Sequence, residues 1–320
     1  MRYKFPSSRG SSPGAALGTG MQTFVQHLID GIALGSIYAL IALGYTLVYG
    51  ILRLINFAHG DIFMVGAFIG LFAAQALHAG ADPTPLKFGL VMLAAMGGCA
   101  LLGFLVERLA YRPLQQAPRI NLLITAVGVS LLLENLGQVV FGPNPKFFPD
   151  LLPHTVLFSF GGAAVSNHQA VVLGTSLVLM VGLEWLVLKT RLGLAMRALS
   201  HSHETASLMG IPTGLVIAFT FCVGSALAAA AGILVGVSYP RVDPLMGILP
   251  GIKAFVAAVL GGIGNIRGAV VGGLILGLSE EMVSGYFSST YRDALAFGIL
   301  IAILLLKPEG LFGRNEVEKV

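Results

Sequence analysis

The chain has 320 residues, of which 56% are apolar and only 11% are charged, whereas soluble domains carry about 25% charged residues. Nineteen Lys and Arg residues against fifteen Asp and Glu leave a net charge of +4, and the mean hydropathy is +0.85. This composition excludes a water-soluble globular domain and indicates a polytopic membrane protein. The apolar runs are long and lack regular alternation, which argues against an outer-membrane barrel.

Nine apolar segments have about the length that a helix needs to cross a bilayer, roughly 20 residues. They are 28–49, 58–77, 88–111, 121–141, 169–188, 213–237, 247–262, 266–285 and 292–306. The seventh is short and rich in glycine, so a re-entrant segment is the alternative and the count is eight or nine. The 42 glycines indicate closely packed helices. We predict an all-α, polytopic membrane bundle with an internal pseudo-repeat.

Lys and Arg residues cluster after the third segment, after the fifth segment and in the C-terminal tail. The positive-inside rule places these three connections in the cytoplasm, and nine crossings then put the N-terminus outside. Residues 1–20 are rich in Ser, Gly and Pro and are predicted to form a disordered tail, with Met21 as an alternative start. Residues 21–313 are predicted to form one transmembrane domain with a cytoplasmic loop at 191–211, followed by a tail at 314–320.

A polar break separates the first two apolar segments. The stretch RLINFAHGD places Asn56, His59 and Asp61 beside Gly60. Polar side chains next to glycine are typical of an unwound helix start that lines a cavity within the membrane. The alternative is a cytoplasmic turn in which Asp61 interacts with the N-terminus of the next helix.

A second break, GGIGNIRGAVVGG, places Asn265 and Arg267 between the seventh and eighth segments. Two glycine-interrupted segments in corresponding halves of a chain indicate a transport pathway at a repeat interface, and glycine packing alone is the alternative. Glu134 is an isolated acid in the fourth segment, which makes it a pathway candidate unless it lies at the outer interface. Glu280 and Glu281, at the end of the eighth segment, are interpreted as interfacial.

The connection at 189–214 is basic and polar, but its leucine and methionine residues give it one apolar face. This pattern predicts a short amphipathic helix on the cytoplasmic surface. His201 and His203 have no further ligands nearby, so no metal site is predicted. The sequence contains no P-loop, Gly-x-Ser-x-Gly or His-Glu-x-x-His motif. We therefore predict no catalytic residue, no cofactor and no nucleic-acid partner, and any use of ATP requires a separate subunit.

Three stretches resemble the LivH-type permeases of branched-chain amino acid ABC importers. GIALGSIYALIALGYTLVYGILRLINFAHGDIFMVGAF resembles their N-terminal half, and TRLGLAMRALSHSHETASLMGI resembles their cytoplasmic coupling loop. FVAAVLGGIGNIRGAVVGGLILGL and the ending LLLKPEGLFG resemble their C-terminal part. The likeness covers about residues 22–313. It implies a multi-pass permease of the bacterial inner membrane that forms half of a translocation pathway for branched-chain amino acids.

The same resemblance implies four partners: ABC ATPase subunits, a second homologous permease, a periplasmic substrate-binding protein and the amino acid itself. The general coupling pattern is Glu-Ala-Ala, three residues, then Gly, and Glu204, Thr205, Ala206 and Gly210 match it with Thr205 in place of the first alanine. The coupling candidates are Leu192, Met196, Arg197, Leu199, Glu204, Ala206 and Gly210. The pathway candidates are Asn56, His59, Asp61, Glu134, Asn265 and Arg267. A permease of the same group for another small solute, such as urea, and a self-contained channel or secondary transporter are the alternatives.

Overall fold

The computed structural model describes residues 13–115, 117–153, 155–160 and 163–313, and these residues form mainly α-helices. The helices are α1 (Pro13–Leu52), α2 (His59–Ala76), α3 (Pro85–Val106), α4 (Arg119–Phe141), α5 (Asn167–Lys189), α6 (Arg191–His201), α7 (His203–Leu208), α8 (Thr213–Ser238), α9 (Ile248–Gly261), α10 (Ile266–Tyr286) and α11 (Arg292–Leu306). A π-helix (Glu107–Tyr111) and a 3-10 turn (Arg112–Leu114) extend α3. The predicted helical fold is confirmed.

Among the described residues, four short strands lie in the connections and form two small antiparallel pairs. They are β1 (Lys146–Phe147), β2 (Val156–Phe160), β3 (Ala163–Ser166) and β4 (Arg241–Val242). β1 pairs with β4, and β2 pairs with β3. The predicted disordered tail, residues 1–20, overlaps α1 from Pro13 onward. Residues 1–12 and the predicted tail at 314–320 lie outside the described residues.

Within the part of the chain that the structure describes, seven helical segments are long and apolar enough to cross a membrane. They are Met21–Leu52, His59–Ala76, Pro85–Leu114, Ile120–Phe141, Asn167–Lys189, Thr213–Ser238 and Ser289–Leu306. The other two predicted segments correspond to α9, which has 14 residues, and α10, which has 21 residues and contains three charged side chains. The chain is therefore a multi-pass membrane protein.

The basic connections meet at one end of the bundle, which we call the basic end. There the His203 ring nitrogen Nε2 lies 2.9 Å from the carbonyl oxygen of Ile51, and the Leu311 amide donates to the carbonyl of Leu260 at 2.8 Å. The Arg112 guanidinium lies beside Gly214. The two strand pairs and the start of α1 lie at the other end, which we call the opposite end. Successive connections alternate between the two ends, which matches nine crossings. The positive-inside rule assigns the basic end to the cytoplasm.

The bundle contains two inverted halves, α1–α4 and α8–α11. In this correspondence α1 matches α8, α2 matches α9, α3 matches α10 and α4 matches α11. The contact of α1 with α10 corresponds to that of α8 with α3, and the contact of α1 with α9 corresponds to that of α8 with α2. α2 contacts α4 as α9 contacts α11. α1 runs from the opposite end to the basic end, whereas α8 runs the other way. The predicted pseudo-repeat is thus a pair of halves with opposite topology.

Glycines allow the helix backbones at these interfaces to approach closely. Gly277 of α10 packs directly on the backbone of Gly35 in α1, and Gly103 of α3 packs on α8 beside Ser225. No side chain could be accommodated at these positions without moving a neighbouring helix. α1 and α8 consequently form the buried centre, while α3, α4, α5 and α11 expose apolar side chains at the periphery.

Candidate functional site

α2 begins inside the bundle rather than at the basic end. After Leu52 the chain reverses at Arg53, which has a φ of +51°, and residues 54–58 return toward the centre. The imidazole of His59 consequently packs on Gly44 of α1, eight residues before the end of that helix, or about 12 Å from it at 1.5 Å per residue. This position favours an unwound helix start over a surface turn.

The three polar residues of this break are almost completely buried. Asn56, His59 and Asp61 are 2%, 1% and 3% exposed. The Tyr111 hydroxyl donates to Asn56 Oδ1 at 2.7 Å, and the Ser130 hydroxyl of α4 donates to Asp61 Oδ2 at 2.5 Å. Buried polar groups inside a membrane bundle are costly and mark functional positions by default.

Two further observations complete this polar cluster. His59 packs edge-to-face on Tyr45 with ring centroids 4.7 Å apart, and its Nε2 has no hydrogen-bond partner among the described residues. Glu134 lies one turn after Ser130 on α4, is partly exposed, and interacts electrostatically with Asp61. The structure therefore brings four of the six predicted pathway residues into one region.

α9 begins at the same place as α2. Gly247, just before α9, packs on the backbone of Gly60, and Gly251 also faces Gly60. The two helices then diverge, α2 toward the opposite end and α9 toward the basic end. We call this contact the junction. Each helix N-terminus carries about half a positive charge, so the junction places two such ends close together inside the bundle.

The other two predicted pathway residues, Asn265 and Arg267, lie at the basic end, away from the junction. Asn265 caps α10 by accepting from the Gly268 amide at 3.1 Å, and its Nδ2 donates to the carbonyl of Phe312 at 3.1 Å. The largely exposed Arg267 side chain pairs with Glu184 of α5 at 2.7 Å. The expectation that this break mirrors the α2 break is therefore wrong, because the equivalent start is Gly247, where residues 239–247 lead from α8 into the bundle.

The bundle also contains a buried ion-pair network that was not predicted from the sequence. Lys253 of α9 lies 3.0 Å from Glu280 Oε1 and 2.8 Å from Asp293 Oδ1. Tyr38 also donates its hydroxyl to Glu280 Oε2 at 3.0 Å. Lys253 and Glu280 are 7% and 0% exposed, so Glu280 is buried between helices rather than exposed at the surface of the bundle. The signal that could have revealed the network is the isolated lysine in the apolar stretch GIKAFVAAVL.

The comparison with known families decides what kind of membrane protein this bundle is. Residues 27–304 match the family described as branched-chain amino acid transport system, permease component. The chain belongs to this permease family. The permease is 42% identical to the high-affinity branched-chain amino acid transport system permease protein BraD of Pseudomonas aeruginosa over 301 residues, which cover 93% of this chain and 98% of that protein.

Two further relatives come from Escherichia coli. The permease is 42% identical over 304 residues to the protein LivH, with 93% of this chain and 98% of LivH covered. It is also 26% identical over 307 residues to the protein LivM, with 88% of this chain and 69% of LivM covered. Both are named high-affinity branched-chain amino acid transport system permease proteins. The permease therefore resembles two different proteins of one transport system.

In this permease the predicted coupling loop folds as two helices, α6 and α7, that lie across the basic end. Met196, Leu199 and Ala206 are at most 3% exposed, because they pack against the chain's own helices. The coupling candidates Met196 and Leu199 are therefore not available to contact a partner subunit. The most exposed apolar residues of this region are Leu208 and Met209, at 87% and 78%, and Leu194 follows at 61%.

The remaining coupling candidates lie at the surface or in the turn into α8. Glu204 is exposed, Leu192 is 37% exposed and Arg197 is half-buried. Gly210 has a φ of +79° with open space around its α-carbon, a conformation that glycine adopts without strain. Gly210 therefore provides the turn that leads from α7 into α8.

Proposed function

We propose that the permease forms one half of the translocation pathway of an ATP-driven importer of branched-chain amino acids in the bacterial inner membrane. The observation that carries this proposal is the junction, at which two helices begin inside the bundle beside buried polar side chains. Discontinuous helices at the interface of inverted repeats are where transporters commonly bind their substrates. The names of its relatives BraD and LivH support branched-chain amino acids as the substrate class.

The proposed pathway passes the junction and uses Asn56, His59, Asp61 and Glu134. The first three are buried in this conformation, so transport requires α2 and α9 to separate where Gly60 meets Gly247. The exposed helix N-termini would then favour the substrate carboxylate. The permease makes no covalent bond; it alternates between conformations whose relative free energies depend on its partners.

We assign α6 and α7 to docking on the ATPase. Leu208 and Met209 supply exposed apolar area, and Glu204 with Arg197 sets orientation at the rim, where charges contribute mainly specificity. Met196, Leu199 and Ala206 hold the two helices on the bundle. The contact between His203 and Ile51 joins α7 to the end of α1, directly before the segment that leads to the junction. A displacement of α7 is thereby transmitted to the pathway.

The proposed importer contains further subunits. The similarity to both LivH and LivM supports a second, homologous permease that supplies the other half of the pathway. ABC ATPase subunits bind at the basic end. A periplasmic substrate-binding protein delivers the amino acid at the opposite end.

Uptake of labelled leucine by cells with and without this gene tests the substrate assignment. We expect uptake to fall on deletion, to return on re-expression, and to be inhibited by isoleucine and valine but not by urea. Unchanged leucine uptake together with loss of urea uptake would identify the permease as a urea transporter instead.

A further inference from the structure

A polar cavity of about 410 Å³ opens at the opposite end of the bundle, between α1, α5, α10 and the ends of α8 and α11. Its volume lies within the range of small-molecule sites, about 300–1,000 Å³. The cavity wall along α1 runs from Ile37, about 10 Å from Gly44, to Asp30, about 21 Å from it, at 1.5 Å per residue. It is separate from the pathway residues described above.

Charged groups of both signs line one side of this cavity. Arg292 donates from Nη2 to Glu281 Oε2 at 2.6 Å, and His27 Nδ1 lies 3.3 Å from Glu281 Oε1. The Nε atom of Arg292 is buried and has no hydrogen-bond partner among the described residues. Asp30 accepts hydrogen bonds from Gln26 and Gln169. Arg292 also lines the cavity with its side chain 28% exposed, so a cationic donor is accessible near two carboxylates.

The other side of the cavity is apolar. Ala33, Leu34 and Ile37 of α1 line it, and their spacing places them on neighbouring positions of one helix face. The cavity thus combines a cation, two anions and an aliphatic wall. These are the groups that complement the carboxylate, the ammonium and the aliphatic side chain of a free amino acid.

We propose that this cavity is an entry subsite that binds a branched-chain amino acid as its zwitterion. The substrate carboxylate binds Arg292, its ammonium group lies between Asp30 and Glu281, and its side chain contacts Ile37 and Leu34. This inference rests on the proposed function and adds a binding position for the substrate before the junction opens.

A divalent cation is the competing occupant, because ligand atoms of His27, Asp30 and Glu281 all lie within 4.8 Å of one another. The guanidinium of Arg292 contacts the same Glu281 carboxylate. A metal ion would place a second cation beside Arg292 and bring no anion for it, whereas a zwitterion brings a carboxylate for Arg292 together with the ammonium group. The geometry therefore favours the zwitterion over the cation.

Ligand-dependent thermal unfolding of the full-length permease in lipid nanodiscs tests the proposal without any partner subunit, since a ligand that binds the folded state raises its stability. The ligands are L-leucine, 4-methylpentanoate, which lacks the ammonium group, 3-methylbutylamine, which lacks the carboxylate, and zinc chloride. We expect L-leucine to raise the melting temperature and each analogue to require at least tenfold higher concentration. Equal potency of an analogue, stabilisation by zinc alone, or no effect of leucine would overturn the proposal.

Two variants and one control localise the binding. Asp30→Asn keeps a carbonyl acceptor for its glutamine donors but removes the charge, and Arg292→Gln removes the cation. Each should weaken the leucine effect at least tenfold, whereas Asp82→Asn, an exposed position at the same end, should leave it unchanged. If Arg292→Gln does not fold, Asp30→Asn and the analogue series decide the question. If leucine does not change the melting temperature of the permease while the importer still takes up leucine, the subsite is refuted and the proposed function is not.

Discussion

Replacing Gly60 by alanine places a methyl group inside the junction. An ideal Cβ at this position would lie 2.6 Å from the carbonyl oxygen of Gly247 and 3.1 Å from the α-carbon of Gly251. Both neighbours are backbone atoms of the segment that begins α9. No side-chain rotation relieves the overlap, so α2 and α9 must move apart.

The expected cost follows from the overpacking of a well-packed interior, which is about 1–3 kcal/mol. Alanine also has a helix propensity that is up to about 1 kcal/mol better than that of glycine, which opposes this cost. Gly128→Ala is the matched control, because Gly128 lies in α4 with open space around it. The control shares the propensity gain and should be as stable as the wild type or more so, whereas Gly60→Ala should be less stable than the control by about 1–3 kcal/mol.

The free energy of unfolding in detergent micelles, measured by denaturant titration, checks this difference. Leucine uptake by cells that express each variant gives the functional readout, and we expect Gly60→Ala to lose uptake while Gly128→Ala keeps it. If both variants match the wild type in stability and in uptake, α2 and α9 do not meet at a tight junction and the reasoning fails.

Three further changes test other parts of the account. Gly210→Val places a β-branched residue at a φ of +79°, a conformation that costs about 1–2 kcal/mol. We expect this variant to uncouple uptake from ATP hydrolysis in the reconstituted importer. Full substrate-stimulated uptake by the variant would refute the coupling role. Leu208→Asp should weaken co-purification of the ATPase more than fivefold, since an apolar anchor contributes more than about 1 kcal/mol. The control Val156→Asp, at the opposite end, should not weaken it. If both variants retain the ATPase equally well, docking on α7 is refuted. Lys253→Met should destabilise the permease by about 3–5 kcal/mol, because it leaves Glu280 buried without its main partner. The double variant Lys253→Met with Glu280→Gln should recover part of that loss in denaturant titration. A single variant as stable as the double variant would contradict the ion pair.

The crossing helices could be predicted from the sequence because the bilayer itself fixes the length of an apolar run. The start of α2 could also be anticipated, since Asn56, His59 and Asp61 lie within six residues beside a glycine. The residue that packs on this start, Gly247, could not be predicted from the sequence. Gly247 precedes α9 by a single residue and reaches Gly60 only through the packing of the two halves, which is a long-range property.

Local patterns also leave the neighbours of a side chain undetermined. Arg267 and Asp61 each follow a glycine-containing break, yet the first lies on the surface and the second is buried. The apolar face of α6 was visible in its spacing, but periodicity does not distinguish burial by the same chain from burial by a partner. Met196 is buried by the chain itself. Lys253 and Glu280 are 27 residues apart, so only the fold reveals that they pair.

Leucine uptake into proteoliposomes that hold the permease with its ATPase, its second permease and its binding protein tests the central claim most directly. ATP is supplied on the side of the basic end, and either hydrolysable ATP or a non-hydrolysable analogue is used. We expect leucine to accumulate against its gradient only with hydrolysable ATP. Leucine that equilibrates without ATP, or that accumulates on an ion gradient alone, would show a channel or a secondary transporter and would contradict the account.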